Sequence, residues 1–216
     1  LEEILEQLKS GVRRFQAEVY PQRAEIFAQA ASEPQRPHTL FITCADSRID
    51  PVEITSAGTG DVFVTRNIGN MVPAYGEMLG STSAVIEFAV TALGVGHVVV
   101  CGHSDCGAMK ALLDPESVKK MPTVKNWLRN AHAALTAADA LYERDQREGS
   151  QRTLLQELTE QNVLLQMSHL KTHPSVAGAI AKGDLNVSGW IYEIGSGEVR
   201  IARDGQRTFT PVQPEP

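Results

Sequence analysis

The chain opens on a helical rhythm. Leu1, Ile4, Leu5, Leu8, Val12, Phe15 and Val19 recur every three or four positions, the spacing of one helix face. A helical arm is therefore expected over 1–30, with Pro21 ending or starting an element inside it. Its apolar stripe could pack on its own domain or on a second chain, and spacing leaves both open. After a polar loop at 32–37 the pattern changes to short, continuous apolar runs at 38–43, 61–65 and 97–101, which read as strands. Between the last two, Val85, Phe88, Ala89, Ala92 and Leu93 form one face of a helix, with Ser81 or Ser83 as its cap and Gly94 at its end. Helices follow from 124 to about 170, broken by the polar turn Arg147-Glu148-Gly149-Ser150. Segments 187–194 and 198–202 flank Gly195-Ser196-Gly197 as a hairpin, and 211–216 read as a disordered tail. The order predicts an α/β fold, a central mostly parallel sheet flanked by helices, in one domain covering 1–216.

Composition narrows the class. A chain of 216 residues can bury one substantial core, and 42% hydrophobic with 21% charged residues is ordinary for a globular protein. A net charge of −6 speaks against a nucleic-acid partner. No run approaches the roughly 18 apolar residues of a membrane span. Three cysteines cannot all pair, and two are better used as ligands, so a reducing, cytoplasmic setting is expected, free or inside a microcompartment. The acidic start is not a signal peptide, although the missing initiator Met leaves a removed targeting segment open.

The chemistry sits directly after two of the strand-like runs. Cys44-Ala45-Asp46-Ser47-Arg48 follows the first, and His103-Ser104-Asp105-Cys106-Gly107 follows the run ending at Cys101. Neighbouring parallel strands bring such loops together at one sheet edge. Cys44, His103 and Cys106 would there make a Cys2His zinc site with its fourth position open, the ligand count of a catalytic zinc. Two thiolates make the metal nearly neutral, yet it still lowers the pKa of a bound water, and the hydroxide attacks an electrophilic carbon. Asp46 is placed to accept the hydroxide's proton, and Arg48 to hold that carboxylate ionised with a forked pair of hydrogen bonds. A lone His-x-x-Cys is weak, whereas its combination with Cys44, Asp46 and Arg48 is strong. Cys101, inside its apolar run, reads as a core residue. His38, His97, His132, His169 and His173 stand apart from any ligand partner and read as surface or structural. By spacing alone, Phe63, Ile68 and Phe88 are core residues.

Cys-x-Asp-x-Arg followed by His-x-x-Cys-Gly resembles the signature of the β-class carbonic anhydrases. The likeness runs from about Leu5 to Asp204 and takes in Gly60-Asp61-Val62-Phe63-Val64-Thr65-Arg66-Asn67 and Ser188-Gly189-Trp190-Ile191-Tyr192. Local wording around Asp46 and Cys106 looks closest to bacterial and cyanobacterial members. The resemblance implies one zinc per chain on Cys44, His103 and Cys106, with Asp46 and Arg48 as the catalytic pair. It implies Gln35, nine residues before Cys44, and the Gly107 N–H as ligands for bicarbonate oxygens, with Phe63, Ile68 and Phe88 lining a CO2 pocket. It further implies a homodimer or a dimer-based tetramer or larger assembly, with active sites at the subunit interface and the N-terminal helices embracing the partner.

A subgroup inhibited by non-catalytic bicarbonate carries Trp three residues before the first ligand cysteine, with an Arg and a Tyr. Phe41 stands in the Trp position here, while Arg66 and Tyr192 match the others. Phe41 and Gln35 together favour the plant-like, open-site subgroup. The expected activity is reversible hydration of carbon dioxide to bicarbonate and a proton. Its rivals are a hydrolase of carbon disulfide or carbonyl sulfide, which would share the zinc site, and an inactive scaffold component, against which the Asp46–Arg48 pair argues.

Overall fold

The computed structural model describes residues 2–77 and 80–213. Strand β1 (Thr39–Cys44) is buried at all six positions, the expected state of a continuous apolar run in the middle of a parallel sheet. It lies between β2 (Val62–Asn67) and β3 (His97–His103), parallel to both, and β4 (Asn186–Tyr192) is parallel to β3. The chain then reverses into β5 (Val199–Arg203) and again into β6 (Thr210–Pro211). The order is β2-β1-β3-β4-β5-β6, so the mostly parallel sheet and the terminal hairpin are both present. One expectation changes at the end of the chain. Pro211 belongs to β6, and the Val212 N–H donates to the Val199 carbonyl at 2.9 Å. Proline is tolerated there because β6 is an edge strand. Residues 214–216 of the expected tail lie outside the described residues, as does Leu1.

The arm is helical: α1 (Glu2–Arg14) continues through Phe15–Val19 and Pro21–Arg23 into α2 (Ala24–Ser32). None of these elements buries a residue, and Ile4, Leu5, Leu8 and Val12 are all exposed. The helix expected after β2 is α4 (Ser81–Glu87), which runs on through Phe88–Ala92; its N-cap is Gly80, and Ser81 and Ser83 lie within the first turn. Short helices α3 (Pro51–Thr55), after β1, and α5 (Gly107–Leu113), after β3, each follow a functional loop. The remaining helices are α6 (Pro122–Leu128), α7 (His132–Arg147), α8 (Leu154–Leu170) and α9 (Pro174–Lys182).

Helix α8 starts from a capping box in which Thr153 and Gln156 exchange hydrogen bonds, and it lies against β3 and β4. Its approach depends on two glycines. A Cβ at Gly102 would meet Val163 Cγ2 at 2.8 Å, and one at Gly189 would meet Met167 Sδ and Val163 Cγ1 at 2.6 Å. Leu40, Ile42, Val98, Val100 and Ile191 fill that face of the sheet with Val163, Met167 and Leu170. The opposite face carries Phe41, Val99, Cys101 and Ile49. Cys44 and Cys106 join a third cluster with Met109, Leu112 and Leu158, so the candidate ligands stand on packed side chains rather than on free loops.

Candidate metal centre and active site

β1 and β3 are adjacent and parallel with Thr43 opposite Cys101, so Cys44 and His103, each the last residue of its strand, emerge at one edge. Cys106 is the N-cap residue of α5. The turn that returns it to the site is tied down from β4: the Ser104 N–H donates to the Tyr192 carbonyl at 2.9 Å, and the Ile194 N–H to Ser104 Oγ at 3.0 Å. Asp105 takes the left-handed conformation, φ +58°, which its short polar side chain tolerates better than most. Cys44, His103 and Cys106 are all buried, and their ligand atoms lie within 4.8 Å of one another.

These donors suit a zinc-type ion. His103 Nδ1 pairs with the Ser104 carbonyl at 2.8 Å, which places the proton on Nδ1 in the neutral ring and leaves the Nε2 lone pair free. That Nε2 is buried and has no hydrogen-bond partner. An imidazole nitrogen left free beside two buried sulfurs is a soft donor set that fits a zinc-type cation. The Cys106 thiol hydrogen-bonds Cys44 and draws its pKa well down against the opposing effect of burial, helped by His103 and by the Gly69 N–H at 3.4 Å. Cys106 is pushed upward by that same hydrogen bond and by burial. Burial disfavours the charged form of His103, but the adjacent Cys44 sulfur outweighs it and raises the ring's pKa.

Asp46 stands next to this group, its Oδ2 3.9 Å from His103 Nε2. Arg48 grips it with Nε to Oδ1 at 2.9 Å and Nη2 to Oδ2 at 2.8 Å, and the Arg48 N–H adds a bond to Oδ1 at 3.0 Å. Those hydrogen bonds hold the Asp46 carboxyl well below the usual carboxylate range. Sequence reasoning missed the support behind the pair. Arg48 Nη1 also donates to Asp105 Oδ2 at 3.0 Å, and Lys110 pairs with the other Asp105 oxygen. Arg66 reaches across from β2 to the carbonyls of Cys44, Asp46 and Ile49. Asp50 caps α3 by accepting from the Val52 N–H at 2.9 Å, pinning the far end of the loop. The Asp105 link could have been suspected from its place between His103 and Cys106, but the Arg66 link depends on the parallel register alone.

The carbonic anhydrase family model matches residues 39–199. The chain is 42% identical to a carbonic anhydrase of Pseudomonas aeruginosa over 95% of its own length and 91% of the relative's. It is 44% identical to one of Synechococcus elongatus over 90% and 70%. The solved structure of the β-carbonic anhydrase CcaA superposes with a TM-score of 0.88 at 35% identity, covering 98% of this chain and 93% of that one. This chain belongs to the β-class carbonic anhydrases. Tetrameric β-carbonic anhydrases of Sordaria macrospora also share the fold, with a TM-score of 0.77 at 29% identity, over 94% of this chain and 98% of theirs.

The β-carbonic anhydrase residues expected around the substrate separate into two groups. Gly107 opens α5 beside Cys106 with nothing within 4 Å of where a Cβ would stand, and Ile68, half-exposed, directly precedes Gly69. These two adjoin the Cys44–His103–Cys106 group. Gln35, Phe63 and Phe88 do not reach it within one chain. Gln35 is exposed before the start of β1 and lines a hollow with Ile26, Arg36 and Thr59, whereas Cys44 ends that strand about 17 Å further on, at about 3.3 Å per residue. Phe63 lies near the start of β2, with its ring centroid 6.0 Å from that of the half-exposed Phe88. His169 and His173 fall to structural tasks, pairing with the carbonyls of Val72 and Pro73.

Proposed function

We propose that this chain catalyses the zinc-dependent, reversible hydration of carbon dioxide to bicarbonate and a proton. The observation that carries the reading is the orphaned His103 Nε2, set between two buried sulfurs and 3.9 Å from a carboxylate that Arg48 holds by two side-chain bonds. Cys44, His103 and Cys106 would hold one zinc, a Lewis acid that polarises water into a nucleophile at neutral pH. Asp46 accepts a hydrogen bond from the attacking oxygen and turns its lone pair toward carbon. Arg48 keeps Asp46 ionised and would hold it back from the metal. The Gly107 N–H, first in α5 and so without a helical acceptor, donates to a product oxygen. The intact Asp46–Arg48 pair, together with Phe41 and Gln35, supports the open-site subgroup.

The substrate pocket is completed by a second copy. Gln35, Phe63 and Phe88 would come from the partner, across a contact made of the unpaired edge of β2 and the exposed apolar stripe of α1. The tetrameric relatives named above are in keeping with assembly. A reducing, cytoplasmic setting suits three free, buried cysteines. Among the described residues no helix is long and apolar enough to cross a membrane. Stopped-flow CO2 hydration on protein whose zinc content is measured in parallel tests the reading. Activity that rises with zinc occupancy to one per chain is expected. Zinc-loaded protein that releases sulfide from carbon disulfide or carbonyl sulfide but leaves CO2 unhydrated would replace it.

A further inference from the structure

The Gly69 N–H donates to Cys44 Sγ at 3.4 Å, from a turn that requires glycine. Gly69 has φ +76°, and a Cβ there would meet Ala108 Cβ at 2.9 Å and Met71 Cε at 3.0 Å. The donor is a backbone amide, so its aim depends on whatever holds the peptide groups on either side of Gly69. The peptide that bears this N–H has its carbonyl, that of Ile68, held by Trp127 Nε1 at 2.8 Å. In a trans peptide the C=O and N–H point opposite ways, so fixing one fixes the other. The next carbonyl, that of Gly69, accepts from Asn162 Nδ2 at 3.1 Å.

Asn162 is braced in turn. Its Oδ1 accepts from Gln166 Nε2 at 2.9 Å; Gln166 also donates to the Asn130 carbonyl at 3.1 Å and accepts from the Val72 N–H at 2.7 Å. Asn162 and Gln166 are 1% and 0% exposed, among the apolar residues of α8. Burying two primary amides is unfavourable unless their hydrogen bonds are made; here one reaches the turn beside the candidate metal ligand and the others hold Asn162 and Gln166 in place behind it. We infer that Trp127 and Asn162, with Gln166 behind them, are positioning residues that aim the Gly69 N–H at the Cys44 sulfur. A hydrogen bond to a ligating thiolate withdraws charge from sulfur and fixes its direction. The inference rests on the proposed metal role of Cys44.

The test loads the protein with cobalt(II) and reads the sulfur-to-cobalt charge-transfer band, then measures zinc affinity by competition with a chelator. Trp127→Phe removes the indole donor but keeps a ring, and Asn162→Ala removes the amide. Val163→Ala, on the same helix and equally buried, controls for lost packing. Trp127→Phe and Asn162→Ala should shift the band to lower energy and weaken zinc binding about tenfold, the low end for outer-shell partners of a metal site. Val163→Ala should do neither. Should Asn162→Ala fail to fold, Trp127→Phe decides alone. Normal cobalt uptake with a wild-type band and zinc affinity in Trp127→Phe overturns this inference and spares the metal reading. A wild-type chain that takes up neither cobalt nor zinc overturns both.

Discussion

Gly102→Ala probes the contact that sets the height of α8 above the sheet. The added methyl would sit 2.8 Å from Val163 Cγ2, while Ile191 Cδ1 and Thr159 Cγ2 stay at an ordinary 3.5 Å. Backbone strain plays no part, since Gly102 is not in the left-handed region. Valine in a helix is nearly locked at χ1, so rotation cannot relieve the overlap and strand or helix must move. Overpacking of this kind costs about 1–3 kcal/mol, and the stiffer unfolded chain offsets about 0.4–1 kcal/mol. The net loss is about 1–2 kcal/mol, or about 2–8 °C in Tm for a chain of this length. Val163→Ala removes the obstacle but opens a cavity at a fully buried position. In the double variant the new methyl takes the vacated space, giving a favourable coupling of about 1 kcal/mol. Urea unfolding of both singles and the double, at matched subunit concentration, measures it. Because His103 is the next residue, zinc content should fall in Gly102→Ala and recover in the double. A Gly102→Ala protein as stable as wild type, or singles that simply add, would refute the close-approach argument.

Metal analysis should find zinc lost from Cys44→Ser and retained in Cys101→Ser, whose thiol is buried and pushed up to about 12; full occupancy in Cys44→Ser would remove Cys44 from the ligand set. Asp46→Asn should keep its zinc while turnover drops about 10²–10⁴-fold, the usual contribution of a placed proton acceptor, and a crystal of Arg48→Ala should show Asp46 moved onto the metal. Gln35→Ala should lower kcat/KM about two- to twelvefold, one hydrogen bond of about 0.5–1.5 kcal/mol. A mixed dimer of Gln35→Ala and Cys44→Ser subunits should then regain one full site if Gln35 acts across the interface, and none if it acts within its own chain. Acid titration should leave the Asp46–Arg48 pair intact down to pH about 4: the folded pKa of Asp46 lies below its unfolded value near 3.9, so its stabilising effect is present above that value and is lost as pH falls through the folded one.

Much of this was legible in the sequence because the relevant signals are local. Continuous apolar runs ending at Cys44 and leading to His103 mark buried parallel strands, and adjacency of those strands is enough to join the two loops. Gln35 was legible as a motif position but not as a location, because its distance from Cys44 depends on the length of β1. Asn162 and Gln166 left no trace in the periodicity: α8 is buried around most of its circumference, so polar residues there do not mark a solvent face. Short helices such as α3 and α5 are set by loop ends and caps rather than by a repeating stripe. Gly102 and Gly189 could be noticed only as strand glycines until the side chains of Val163 and Met167 were in place.

Arg66 makes the loop from Cys44 to Ile49 behave as a single part. Three carbonyls, spread over six residues, converge on one guanidinium that belongs to another strand. Such a loop has no graded response to a disturbance at β2, because withdrawing that one group releases the backbone behind the ligand, behind the carboxylate and at the foot of α3 together. Lysine would keep the charge but not the planar fork that serves several acceptors at once. The strand that supplies Arg66 is also the open edge of the sheet, so the mechanical integrity of the catalytic loop is anchored to the rim of the single subunit rather than to its centre.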